Sequence, residues 1–378
     1  MSNPSPDSSR PSPHAPVLTW LLIVAHAALL IVLVGNVVYL RRRRSRETPS
    51  AWPTVSVLGP ARNEADNLRR LLPSLLDQAY SEVEIIVYDD GSDDDTAAVL
   101  EQHAAPRLRV LRGEGPPPGW VGKVHALHEA TRAATGDVYL FLDADAELRD
   151  SQALRRLVEY HHAQAEDAVL TGLPRLRGGA KLLVSLVPNA TLVGLPWPLV
   201  VRTADPSLAA LNGQCWMIRA ALYHEHEPHA AHPNEVLEDV TIGRYLKARG
   251  LPPVQIDVQD EINIFMYENA TDAWHGFRKN AYLLMGGTTL RFVIFFALFF
   301  FCFVIPPFVS GWFLLSIYAL KAVTDRVSGF PAWVSLFAPL SYALGWALQV
   351  DSAFTHWTGR ARWKGRPVAL REESGQSH

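Results

Sequence analysis

Apolar residues are distributed along this chain in two distinct ways. Pro16 to Leu40 and Phe292 to Leu320 are nearly charge-free runs, and Trp333 to Val350 is a third. A helix needs about 20 apolar residues to cross a bilayer core, since each adds about 1.5 Å and every backbone polar group must be satisfied internally. The first two runs meet that length. Between them, short apolar strings alternate with helical periodicity. Val55-Ser56-Val57-Leu58 reads as a strand that stops at Gly59-Pro60, and Leu68, Leu71, Leu72, Leu75 and Leu76 fall at helical spacing with Pro73 the one irregularity. Glu84 to Tyr88 is a second strand, Thr96 to His103 a helix, Leu108 to Leu111 a short strand, Val124 to Ala134 a helix and Val138 to Leu142 a buried strand. This alternation predicts an α/β fold: a mostly parallel mixed sheet under helices, with ligands bound beyond the carboxyl ends of the strands.

Composition and charge assign the remaining segments. Of 378 residues, 48% are apolar and 19% charged, an excess that the charge-free runs account for. A net charge of −3 supplies no basic field for nucleic acid. Arg41, Arg42, Arg43, Arg44 and Arg46 come directly after the first run, whereas Arg10 is the only strong base before it, so the positive-inside bias puts the chain beyond Leu40 in the cytoplasm. A cleaved signal peptide would carry its bases on the other flank. Cys215 and Cys302 are the only cysteines, and no disulfide framework is expected. The expected layout is a disordered Ser/Pro-rich tail at 1–15, a transmembrane helix at 16–40 and a folded domain at 53–289. Two or three membrane segments at 290–355 and a basic cytoplasmic tail at 356–378 complete a multi-pass protein of the cell membrane.

The polar residues that stand out lie at strand ends. The first strand delivers Pro60-Ala61-Arg62-Asn63-Glu64, the second Asp89-Asp90-Gly91-Ser92, and a later one Asp143-Ala144-Asp145. Two carboxylates one residue apart at a strand end suit a hard divalent cation, Mg or Mn, that bridges two phosphates. Asp90 fits either a turn that caps the next helix or an acceptor for a pyrimidine base. Gly119-Trp120-Val121-Gly122-Lys123 opens a helix after a flexible run, where Lys123 can face a diphosphate or only solvent. Glu238-Asp239 begins another helix; two carboxylates favour such a terminus through its dipole, and one of them could also act as a general base. Trp274, Phe277, Ala281 and Leu284 form a stripe around Arg278 and Lys279, expected to lie along the membrane surface. His224, His226, His229 and His232 crowd a loop that lacks suitably spaced cysteine, which disfavours structural zinc.

Together these residues resemble family 2 glycosyltransferases of the GT-A fold over roughly residues 53–290. Within that family they are most like the membrane carotenoid (diaponeurosporenoate) and hopene-associated glycosyltransferases. The segments that carry the likeness are Gly119 to Ala126, Trp274 to Asn280, and Trp363-Lys364-Gly365-Arg366. The resemblance implies a GT-A domain flanked by amino- and carboxyl-terminal transmembrane helices. It also implies inverting transfer of a sugar from a UDP-sugar to a lipid acceptor such as a carotenoid or hopanoid. Asp90 would contact the uracil, Asp143 the ribose or metal, and Asp145 the metal. Asp239, beside Glu238, would be the catalytic base, and Lys123 and Arg278 would sit near the diphosphate. Pro60, Ala61, Arg62, Asn63 and Glu64 would line the donor pocket. His275 to Lys279 replaces the Gln-x-x-Arg-Trp signature of processive relatives, so polymerisation is not expected. The Gly-Gly-His usual before the acidic pair is also absent. A synthase that loads sugar onto polyprenyl phosphate shares all these nucleotide motifs. A non-catalytic nucleotide-sugar scaffold is disfavoured by the retention of Asp143, Asp145, Glu238 and Asp239.

Overall fold

The computed structural model describes residues 15–360, together with the backbone of 362–363 and 366–367. Residues 1–14 and most of the basic tail, including Lys364 and Gly365 of the tail motif, lie outside the described residues; Arg362–Trp363 pairs with Arg366–Pro367 as a short antiparallel ladder.

The chain begins with α1 (Ala15–Arg42) and then alternates as β1 (Val55–Ala61), α2 (Ala65–Leu76), β2 (Val83–Asp89), α3 (Thr96–Gln102), β3 (Leu108–Arg112), α4 (Gly122–Ala133) and β4 (Val138–Leu142). The expected strands and helices are all present, most with ends shifted by one or two residues. The first strand runs through Gly59-Pro60 instead of stopping there. Its pairing with β4 ends at Leu58, so beyond that point it bonds only to β2, and the missing Pro60 N–H leaves no gap in a central ladder.

The second half adds β5 (Ala146–Leu148), α5 (Ala153–His162), β6 (Val169–Leu173), β7 (Arg175–Arg177), the short α6 (Lys181–Val184), α7 (Leu186–Gly194) and α8 (Trp197–Val200), then β8 (Cys215–Arg219). After these come α9 (Ala220–His226), α10 (Pro228–Ala231), α11 (Glu238–Lys247), β9 (Pro253–Asp257) and β10 (Ile262–Phe265). Seven strands form one sheet in the order β3-β2-β1-β4-β8-β6-β9, in which only β8 runs antiparallel to its neighbours; β5, β10 and β7 form a second, three-stranded sheet.

The two faces of the large sheet follow the period-two alternation of β4. Val138, Leu140 and Leu142 join the core beneath α2, α3 and α5, while Tyr139 and Phe141 point to the face covered by α4, α9 and α11. On the second face Phe141 stacks on Trp216 with centroids 3.9 Å apart. The histidine-rich stretch, expected as a loop, is largely helical as α9 and α10 and closes this layer. His224 Nε2 lies 2.7 Å from the Tyr139 hydroxyl and His229 Nδ1 2.7 Å from that of Tyr223.

Further helices come after the domain: α12 (Ala270–Leu284), α13 (Thr289–Phe299), α14 (Pro306–Val309), α15 (Trp312–Val327), α16 (Ala332–Leu336) and the long α17 (Ala338–Trp357). Here the structure departs from the expected two or three spans. Among the described residues α1 is the one helix long and apolar enough by itself to cross a bilayer; α12 and the α13 segment to Val304 qualify only as a pair bent by 110°. The run from Phe292 is broken at Pro306-Pro307. Because Pro306 has no N–H and its ring displaces the carbonyl four residues back, the preceding turn widens into a π-helix, Phe300–Val304, and the Ile305 N–H bonds to Phe300 O. Lys321 and Asp325 of α15 form an ion pair with no exposed surface.

The large exposed apolar side chains are nevertheless confined. Between Arg43 and Leu283 only Leu199 is exposed, whereas α1 and the segment after Leu283 carry many, among them Trp20, Ile31, Phe295, Phe308 and Trp312. The expected surface stripe on α12 is corrected: Ala281 is buried, Trp274 and Phe277 pack inward beside Leu183, Leu186 and Phe330, and only Leu284 is exposed. The helical period of that stripe matches a second layer of protein, the α6–α7 and α17 helices, as well as it matches lipid.

Asn36 joins α1 to the rest of the molecule. Its Nδ2 donates to Leu192 O and Leu195 O, each at 2.8 Å, and its Oδ1 accepts from Trp197 N at 2.8 Å, all from a fully buried side chain. Asn36→Leu keeps the branched, four-heavy-atom side chain and strands three backbone groups at about 1–3 kcal/mol each. Detergent-purified Asn36→Leu protein should melt well below the parent, and equal melting temperatures would show that the α1 junction carries no such load.

Candidate functional site

The acidic residues gather at the carboxyl edge of the large sheet around one lysine. The β4 strand ends at Leu142 and the chain turns through Asp143 and Asp145 into β5, while Lys123 comes from the first turn of α4 and Glu238 from that of α11. Lys123 Nζ is 2.8 Å from Asp143 Oδ1 and 2.9 Å from Glu238 Oε1. Burial works against its charge, but the two carboxylates outweigh it and raise its pKa, so the ammonium is held ionised. Lys123 and Asp143 keep 30% and 23% of their side-chain surface open, enough for a ligand to reach both.

The other carboxyls are less well compensated. Burial, then the neighbouring Asp143 and Glu64 charges, push Asp145 up to about 8. Its Oδ1 is buried without a hydrogen-bond partner, and its Oδ2 receives only a 3.4 Å contact from Gln214 Nε2. Asp239 is pushed up to about 6 by burial and by Glu238, although its Oδ2 accepts from Gly213 N at 3.1 Å and its Oδ1 from Val240 N at 2.8 Å. Glycine at 213 leaves room for both carboxylates: a Cβ there would stand 3.1 Å from the Asp239 Cβ and 3.3 Å from Glu238 Oε1.

This surplus of carboxylate over ammonium suits a cation. Among the described residues no three His, Cys, Asp or Glu side chains converge to hold a metal alone. The fit is instead that of Asp145 and Asp143 with oxygens of an anionic ligand completing the shell, and the orphaned Asp145 Oδ1 is the protein atom such an ion would satisfy.

A wall of polar residues is built from the ends of β1 and β2. Asn63 sits in the left-handed region at φ 53°, which asparagine tolerates, and its backbone N–H donates to Ser92 Oγ while its Oδ1 accepts from Asp93 N. Asp94 accepts from Ala65 N and Thr96 N, and so ties the starts of α2 and α3 together. Asp89 accepts from the Ser92 N–H and hydroxyl as a turn cap, and the next residue, Asp90, keeps only 4% of its side chain exposed. Asp90 is 3.6 Å from Arg62 Nη1 and is pushed up to about 6, by burial first, with Arg62 opposing. Pro60 and Ala61 are the last residues of β1 below this wall, and Glu64 feeds the field at Asp143 and Asp145.

Arg278 is not gathered with these groups. It pairs with Asp351 of α17 at 3.5 Å, because the face of α12 that carries Trp274 and Arg278 turns toward that helix.

Residues 56–226 match the family model described as Glycosyl transferase family 2. That segment, somewhat less than half of the chain, is similar to family 2 glycosyltransferases. Two curated relatives are 4,4'-diaponeurosporenoate glycosyltransferases: one from Staphylococcus haemolyticus strain JCSC1435, 27% identical over 66% of this chain and 68% of its own, and one from Staphylococcus aureus strain N315, 22% identical over 94% and 100%. Among solved structures, the mannosyltransferase PcManGT from Pyrobaculum calidifontis, in complex with GDP-Man and Mn2+, aligns at TM-score 0.53 with 18% identity, covering 89% of this chain and 99% of that one. The likeness is one of fold, and the domain is GT-A-like, with a mostly parallel mixed sheet.

The glycosyltransferase domain also holds site residues that sequence reasoning passed over. Gly213 and Gln214 precede β8, and the signal for them was the Asn212-Gly213-Gln214 turn before an apolar strand. Tyr267 comes after β10; burial and, second, Asp145 push its phenol up to about 12, and its ring lies 5.1 Å from that of Phe277 on α12.

The histidine layer behind the site gives an acid-sensitivity test. Burial first, then His128 and Lys123, push His229 down to about 3, so it stays neutral in the fold. Below about pH 6.5 the unfolded chain binds a proton there that the folded one refuses, and stability falls as pH drops toward 3. The melting temperature should therefore decline from pH 7 to 4.5, and less steeply in His229→Gln; parallel profiles would remove His229 from the cause.

Proposed function

We propose that this chain is a membrane-bound inverting glycosyltransferase that moves a sugar from a UDP-sugar, held with Mg or Mn, to a lipid acceptor of carotenoid or hopanoid type. The observation that carries this reading is a carboxylate-rich site, unneutralised at Asp145, in a chain that matches the family 2 model over residues 56–226 and confines its large exposed apolar side chains to α1, Leu199 and the helices after Leu283. Two curated relatives are named for 4,4'-diaponeurosporenoate, a carboxylate on a long apolar chain by its name.

In this reading the wall of Pro60, Ala61, Arg62, Asn63, Glu64 and Asp90 takes the uridine. Asp145 and Asp143 would hold the cation, which when bound neutralises charge on the departing diphosphate. Lys123, kept charged between Asp143 and Glu238, adds to that neutralisation from the amino-terminal turn of α4. The acceptor oxygen attacks the anomeric carbon opposite the diphosphate; the new C–O bond forms as the sugar–phosphate bond breaks. A hydroxyl acceptor gives its proton to Asp239, whose raised pKa near 6 suits a base at neutral pH. A carboxylate acceptor has no proton to give. The membrane seat is α1 with the broken helices at 290–355, the domain facing the cytoplasm beside the arginine run.

Full-length protein in liposomes that contain a candidate lipid acceptor, given labelled UDP-sugar with Mn, should move label into the organic phase. Asp145→Asn should cut this by orders of magnitude. A scaffold would transfer nothing, and a polyprenyl-phosphate product would release its sugar in mild acid. Asp239→Asn should slow transfer to a hydroxyl acceptor about 10² to 10⁴-fold and leave transfer to a carboxylate acceptor unchanged. Equal rates on a hydroxyl acceptor in the folded variant would reject Asp239 as base.

A further inference from the structure

The carboxyl-terminal helix α17 lies far along the chain from the matched family segment, yet it grips the one turn of α12 that contains Arg278. Ser352 Oγ donates to Arg278 O at 2.5 Å and accepts from Tyr282 N at 2.9 Å, so one hydroxyl is bonded to both ends of a helical rung. One turn on, His356 Nε2 donates to Lys279 O at 2.8 Å. The backbone at Arg278 is therefore fixed from outside its own helix.

Its side chain is held differently. Asp351 Oδ2 makes its short bond, 2.6 Å, to Trp274 Nε1, and Arg278 Nη1 reaches the same oxygen only at 3.5 Å. Arg278 and Asp351 are 32% and 33% exposed. Trp274 thus pins the carboxylate, and the guanidinium sits on it through a single, long, solvent-accessible contact, the weakest class of ion pair. Two residues away, Gly276 packs so closely against the phenol of Tyr267 that any Cβ would collide with the hydroxyl oxygen, and Tyr267 comes two residues after Phe265, whose N–H donates to Asp145 O at 2.8 Å. The α12 turn that carries Arg278 is therefore packed against the segment that adjoins the acid site.

We propose that Asp351 is a positioning residue that parks Arg278 against α17, and that Arg278 leaves it for the diphosphate of an arriving nucleotide donor. A diphosphate offers more charge and paired oxygens in the geometry a guanidinium fork matches, whereas Asp351 holds Arg278 through one oxygen that also accepts from Trp274. The parked fraction reduces apparent donor affinity by the population that must be released. This inference rests on the proposed diphosphate donor.

The test is a double-mutant cycle on full-length protein in detergent, titrated with UDP and separately with GDP in the presence of Mn. Asp351→Asn keeps an acceptor for the Trp274 indole and removes the charge. It should tighten nucleotide binding by about two- to fivefold, the range an exposed ion pair spans. Arg278→Gln should weaken binding, and Asp351→Asn should have no effect in that background. In turnover, Asp351→Asn should lower the donor KM without raising kcat. Asp351→Gln, also neutral, should reproduce the tightening, and Asp351→Glu should restore parent affinity. Weaker binding in both neutral variants, or a gain that persists without Arg278, would make Asp351 a structural pin and overturn the proposal. Binding of either nucleotide that is indifferent to Arg278→Gln would overturn parking alone; binding of neither would overturn the donor reading and parking together.

Discussion

A single ammonium, Lys123, joins the two halves of the site. It reaches Asp143 at the end of β4 and Glu238 at the start of α11 at once, so the strand that carries the acidic pair and the helix that carries Asp239 are held in register by one side chain. The arrangement leaves a deficit. One cation faces Asp143, Asp145, Glu238 and Asp239, with Glu64 behind them, and the strain shows as raised carboxyl pKa values and an orphaned Asp145 oxygen. A cluster with this imbalance is poorly suited to pure scaffolding, since well-packed apolar residues of the same volume would be at least as stable. It is well suited to recruiting positive charge together with an anionic ligand, which the likeness of residues 56–226 to family 2 glycosyltransferases and the GT-A-like fold make intelligible.

Much of this was legible in the sequence. Strands β1 to β4 and helices α2 to α4 announce themselves because each buries one face with a clean period, and Asp143-Ala144-Asp145 stands out because it comes directly after the last of them. What was not legible depends on contacts distant in sequence. Nothing local marks Asp351 as the partner of Trp274 and Arg278, which lie more than 70 positions earlier. The antiparallel insertion of β8, which carries Gln214 to Asp145, likewise appears only when the sheet is assembled. The histidine stretch was ambiguous because hydrogen bonding to buried tyrosines and metal binding need the same residues, and spacing does not separate them.

The carboxyl-terminal helices show where hydropathy misleads. A charge-free run reads as a span, but Pro306-Pro307 breaks it, and a stripe of Trp274, Phe277 and Ala281 reads as a lipid-facing surface when its partners are α6 and α17. Buried protein and buried lipid face look alike in composition, since both exclude water. Exposure separates them: in this fold large apolar side chains are left uncovered on α1 and beyond Leu283 and almost nowhere else. The helices that carry that surface also carry Asp351, so the exposed apolar face and the α12 turn of Arg278 are parts of one packed unit.

The central claim is that the acid cluster is completed by a divalent cation arriving with a nucleoside diphosphate. Calorimetric titration of the full-length protein with UDP, once with Mn and once with excess chelator, tests it most directly. The account expects binding with Mn and its loss with chelator, with the Mn-dependent part absent in Asp145→Asn. Equal UDP affinity with and without the metal, in the parent protein, would contradict it.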